Sequence, residues 1–110
     1  QRETGDFLGG VGFHIRDWDI RWFEIGYWLR ASAEGHGYMT EAVRLVSNYL
    51  LDHLGAQRVE IRCNALNTHS AAVALRLGFV QEGRLRNTRV AASSAPADTL
   101  IFSRIPTDPR

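Results

Sequence analysis

The chain has no lysine; all 13 of its basic residues are arginine. Cysteine and methionine occur once each, and proline three times, in 110 residues. The lone Cys63 excludes an intrachain disulfide and fits a reducing, cytoplasmic setting. No stretch approaches the roughly 18 apolar residues of a membrane-spanning helix, and no signal peptide is visible, so no membrane partner is expected. A formal net charge of +1 lacks the basic excess of a nucleic-acid footprint. His14, His36, His53 and His69 do not fall at metal-ligand spacing, so no metal is expected. Gln1 is not a translational start, and the chain is expected to have been trimmed, cloned or processed there.

What is present reads as a single domain over residues 1–110, with 45% hydrophobic and 23% charged residues. Asp6 to Ile15 and Phe23 to Leu29 read as strands paired through the polar turn Arg16-Asp17-Trp18-Asp19. Met39, Ala42, Val43, Val46, Tyr49 and Leu50 recur at helical spacing, and Gly55 marks the helix end. Val59, Ile61 and Cys63 alternate with Glu60 and Arg62, which predicts a strand with one buried face. Asn67 or Thr68 caps a short helix from Ser70 to Leu77, closed by Gly78. An extended segment from Phe79 to Val90, a small-residue loop and a last strand at Leu100-Ile101-Phe102 complete an α+β order.

The richest stretch is Glu34-Gly35-His36-Gly37-Tyr38-Met39-Thr40, a glycine-punctuated turn between strand and helix. Such a turn presents unpaired N–H groups at a positive helix end and so suits an anion. A plain tight turn is the alternative. A dinucleotide-binding loop is excluded because its third glycine position is Thr40. A phosphate loop of the lysine-containing kind is excluded because Tyr38 and Met39 follow Gly37. Without lysine, any phosphate held here rests on main-chain amides.

Together with Glu24-Ile25-Gly26-Tyr27-Trp28-Leu29 before it, and Asn67-Thr68-His69-Ser70, Leu77-Gly78-Phe79 and Glu82-Gly83 after it, this turn resembles the GNAT superfamily of acetyl-CoA-dependent N-acetyltransferases. The RimJ/RimL subgroup is the nearest pattern. The resemblance implies a GNAT-like mixed sheet with a crossover helix, lacking the family's N-terminal strand-helix-helix part. It implies that acetyl-CoA lies where two strands splay, with no metal. Amides from Glu34, Gly35, His36, Gly37, Tyr38, Met39 and Thr40 then hold the pyrophosphate, and Trp28 and Leu29 border the pantetheine arm. Asn67 contacts that arm or simply caps its helix. The tyrosine acid of many relatives corresponds to Ala74, and Ser70 is the subgroup's serine facing the cofactor sulfur; its alternative is a first-turn serine bonded to backbone. Ser32 stands where the family often has arginine or glutamine.

For the base, Glu24 is the candidate, its apolar sequence neighbours raising its pKa; a solvent-facing strand glutamate is the alternative. The expected acceptor is a primary amine, on a protein N-terminus or a small molecule. A non-catalytic acyl-CoA-binding or assembly module is the alternative function. The missing N-terminal part predicts a longer polypeptide or a self-associated form, because its loss exposes apolar surface.

Overall fold

The computed structural model describes residues 9–29 and 36–109. Strands β1 (Gly9–Asp17) and β2 (Trp22–Leu29) form the expected antiparallel hairpin. Arg21 takes φ 53° in its tight reversal, donates to the Leu54 carbonyl at 2.9 Å and lies over the Trp18 ring. Helix α1 (His36–His53), β3 (Arg58–Asn64), α2 (Thr68–Arg76), β4 (Val80–Val90) and β5 (Pro96–Arg104) follow. The five strands lie in the order β1-β2-β3-β5-β4. Only β2 and β3 pair in parallel, and α1 is their crossover, so the sheet is mixed and the fold α+β.

Both helices end as their glycines dictate. Gly55 and Gly78 have φ of +65° and +83°, a region that costs a residue with a Cβ. At Gly78 the amides of Gly78 and Phe79 return to the Leu75 and Ala74 carbonyls, both at 3.0 Å, which satisfies the last turn of α2. Both helices pack on one face of the sheet. There Met39, Val43 and Leu50 of α1 meet Phe23, Ile25, Val59, Ile61 and Phe102, all essentially inaccessible. Each such side chain contributes about 1.5–3 kcal/mol by leaving water. Tyr49, although in register with that stripe, is half exposed and stacks on His53 at 5.4 Å instead.

The opposite face is ionic. The alternation in β3 assigns Glu60 to an open surface, yet Glu60 is fully buried. The reason is a set of donors converging from the neighbouring β2 and from β3 itself. Trp22 Nε1 donates to it at 3.0 Å, Arg58 at 2.9 Å, and Arg62 closes the other carboxylate oxygen. Arg58 also binds Glu82 at 2.8 Å, and Glu82 accepts from the Ser103 hydroxyl at 2.5 Å. Burial pushes the Glu60 carboxyl up, but the hydrogen bonds from Arg62 and Arg58 outweigh it and hold the pKa below the ordinary range.

Because that folded-state pKa lies below the unfolded value, the stability Glu60 brings is present above the unfolded pKa. It is lost as pH falls through the folded one, from roughly pH 5 downward. Glu60→Gln is expected to cost about 1.5–3 kcal/mol at neutral pH. Urea unfolding at neutral and acid pH checks this: the gap between the two proteins shrinks at acid pH, and a constant gap contradicts the account.

Candidate functional site

The parallel ladder between β2 and β3 runs from Trp22↔Arg58 to Ile25↔Ile61 and stops. Beyond it each strand stays held by its outer neighbour. Tyr27, Trp28 and Leu29 pair with Val11, Gly10 and Gly9 of β1, while Cys63 and Asn64 pair with Leu100 and Thr99 of β5. The inner edges therefore part into a fork, leaving main-chain groups of both strands without a ladder partner.

Both helices begin beside the open end of this fork, α1 after β2 and α2 after β3. Helix starts carry open N–H groups and partial positive charge. With α1 starting at His36, the amides of His36, Gly37 and Tyr38 fall in the open turn. Met39 and Thr40, read from the sequence as further amide donors, stand one turn in, where the helix takes up its own N–H groups, and the Met39 side chain is buried in the core. Glu34, Gly35 and Ser32 lie outside the described residues. A Cβ on Gly37 meets nothing within 4 Å and its φ is not positive, so this glycine leaves space rather than relieving backbone strain.

Across the fork, both main-chain groups of Ser70 are tied. Its N–H donates to Asn67 Oδ1 at 3.0 Å, so Asn67 has the capping role. Its carbonyl accepts from Tyr27 Oη at 2.6 Å. Tyr27 was legible only as a strand aromatic, though a half-buried phenol needs a partner and that requirement points to a tie. Burial, and secondarily Cys63, pushes its pKa well above the ordinary value. Ala74, onto which the resemblance maps the tyrosine acid of many relatives, is fully buried and its side chain presents no donor. Cys63, on the other arm, is a buried free cysteine whose thiol is pushed up by burial, despite the charge of Arg89.

Glu24 lies on the face opposite the helices, in register with Glu60. Its apolar neighbours Phe23 and Ile25 point into the core on the other face, so they do not surround its carboxylate. Arg16 at 3.0 Å and His14 at 3.5 Å do. Glu41, by contrast, forms a surface pair with Arg44 one turn along α1, and that contact lowers its pKa.

Between α1 and α2 runs a groove. Thr40, His69, Ala72, Val73 and Arg76 line a cavity of about 260 Å³. Arg76 also borders a second, of about 320 Å³, with Arg44, Asn48 and Arg104. Among the described residues no three histidine, cysteine or acidic side chains converge to hold a metal. No helix among them is long and apolar enough to cross a membrane.

A sequence profile for the acetyltransferase (GNAT) domain matches residues 1–80. The ribosomal-protein-serine acetyltransferase of Escherichia coli (strain K12) is 34% identical over 91% of this chain and 55% of its own length. The microcin C7 self-immunity acetyltransferase MccE, solved in complex with acetyl-CoA and AMP, superposes with a TM-score of 0.74 at 34% identity, over 89% of this chain and 54% of its own. The ribosomal-protein-S5-alanine acetyltransferase of Vibrio fischeri gives a TM-score of 0.83 at 25% identity, over 97% and 58%. The chain spans about half the length of the curated relatives it matches.

Gly37 offers a direct test of the open helix start. Gly37→Asp is expected to stay within about 0.5 kcal/mol of the parent, because its Cβ meets open space. Its carboxylate faces whatever anion the amides hold, so inorganic pyrophosphate, titrated by NMR, is expected to stop perturbing the start of α1. Unchanged perturbation in a folded variant moves the anion site elsewhere.

Proposed function

Because the chain belongs to the GNAT acetyltransferase family, we propose that it carries the cofactor-binding part of an N-acetyltransferase that moves the acetyl group of acetyl-CoA to a primary amine. The observation that carries this is the β2–β3 fork with two helix starts at its open end. The free main-chain edge of β2 at Tyr27 to Leu29 suits the amide-rich pantetheine arm, which adds to a sheet edge as a strand does. The open amides of His36, Gly37 and Tyr38 suit the pyrophosphate.

The amine nitrogen attacks the thioester carbonyl carbon to form the C–N bond, and the C–S bond breaks as the resulting tetrahedral oxyanion collapses. A main-chain N–H on the inner edge of β2 stabilises the oxyanion. The Ser70 hydroxyl, on the first turn of α2, donates to the departing sulfur. Glu24 takes the amine proton from the opposite face, relayed through water, with Arg16 and His14 orienting its carboxylate. Acceptor and cofactor then reach the fork from opposite faces of the sheet.

The relatives act, by their names, on a ribosomal-protein serine and on the alanine of ribosomal protein S5. We infer by analogy an acceptor of that kind, the N-terminal amine of a protein that begins with a small residue, and a cytoplasmic setting. Phe13, Ile15, Trp18 and Ile20 are exposed together at β1 and its turn. That apolar edge supports its cover, in the acting enzyme, by further polypeptide or a second copy.

Titration calorimetry with acetyl-CoA, followed by thiol release with peptide amines, tests the proposal. Ser70→Ala is expected to lower turnover by about 10²-fold at most, with acetyl-CoA affinity kept. Parent turnover in that variant removes Ser70 from the chemistry, and absence of acetyl-CoA binding to the parent protein overturns the function itself.

A further inference from the structure

We infer that Tyr27 is a positioning residue, whose phenol clasps the first turn of α2 across the fork and so sets where Ser70 stands. This rests on the role proposed for Ser70. Tyr27 lies two residues past Ile25, the last residue of β2 paired with β3. Its main chain belongs to the β1–β2 arm, opposite Val11. Its hydroxyl nevertheless reaches 43 residues ahead in the chain, to the Ser70 carbonyl on the other arm, at 2.6 Å. This contact bridges the two arms where their backbones have parted.

The clasp matters because α2 depends on its surroundings to hold its place. It is nine residues long, a length at which a helix has no stability of its own in water. Its fully packed residues, Val73 and Ala74, sit toward its second half, while Ala71 in the first turn is only partly buried against the core. The first turn, which carries Ser70, is fixed by the Asn67 cap from within and by Tyr27 from outside. The Ser70 carbonyl has two lone pairs, so it accepts the phenol's hydrogen bond while still serving the helix ladder. Burial keeps the phenol protonated, so it remains a donor at any ordinary pH. Displacing a reacting group by about 1 Å can cost 10²-fold in rate, so a loosened first turn reads out in turnover before affinity.

Tyr27→Phe keeps the ring and deletes the clasp. On the full chain it is expected to lower kcat by about 10-fold while the KM for acetyl-CoA stays within about twofold. Amide exchange at Ala71, in the first turn of α2, and at Ala74, whose helical N–H reaches back to the Ser70 carbonyl, is expected to quicken, and this readout needs no turnover. The deciding comparison is Tyr27→Phe placed in Ser70→Ala: a residue acting through Ser70 adds no further loss there, whereas an independent role gives the full product of the two losses. Tyr27→Met, also without a donor, must behave alike and serves if the phenylalanine variant folds poorly. Parent kcat in Tyr27→Phe, with Ser70→Ala slow, overturns this inference alone. Parent kcat in Ser70→Ala overturns the role of Ser70 and the inference with it.

Discussion

Four residue pairs hold β2 to β3, and the rest of the molecule is arranged around where that ladder stops. A parallel pair that continued to Leu29 would satisfy its own main chain and leave no opening. Here each arm finds its remaining partners on its outer side, in β1 and β5, and the inner edges stay free. Free strand edges are a hazard in most proteins, because they pair with whatever extended chain arrives. Under the proposed function the same edge is an asset, since an extended, amide-containing cofactor arm is such a chain.

The parting of the strands also decides where the helices begin. α1 leaves from one arm and α2 from the other, so their positive ends sit beside the same opening. The layer beneath holds the closed part of the ladder rigid: Phe23, Ile25, Val59 and Ile61 on the helical side, and on the other the Glu60 carboxylate with Trp22, Arg58 and Arg62. A firm base with an open end is what a cleft needs to be preorganised rather than induced.

Much of this was legible in the chain. Helical spacing of Met39, Val43 and Leu50, the positive-φ glycines at 55 and 78, and the Asn67 cap all act locally, and both helices appear close to their expected bounds. The last strand, read as Leu100 to Phe102, instead runs Pro96–Arg104 and takes in the end of the expected loop, because its pairing with β3 and β4 extends it. The order of elements and the glycine turn carried the family. What escaped was non-local. The alternation in β3 cannot disclose that Glu60 is buried, because its partners come from Trp22 on another strand as well as from its own neighbours. Apolar residues beside Glu24 in sequence face away from it in a strand, and ionic side chains from β1 replace them. Tyr27 looked like one more aromatic of a strand because its partner lies 43 positions away.

The most direct test of the fork as the cofactor site is an amide chemical-shift titration with coenzyme A. The account predicts that the largest shifts fall on Tyr27 to Leu29, on His36 to Tyr38 and on Ser70 with the residues beside it, all rising together with one affinity. Shifts gathered instead on the open β4 surface at Arg84 to Thr88, with the fork unmoved, would contradict it.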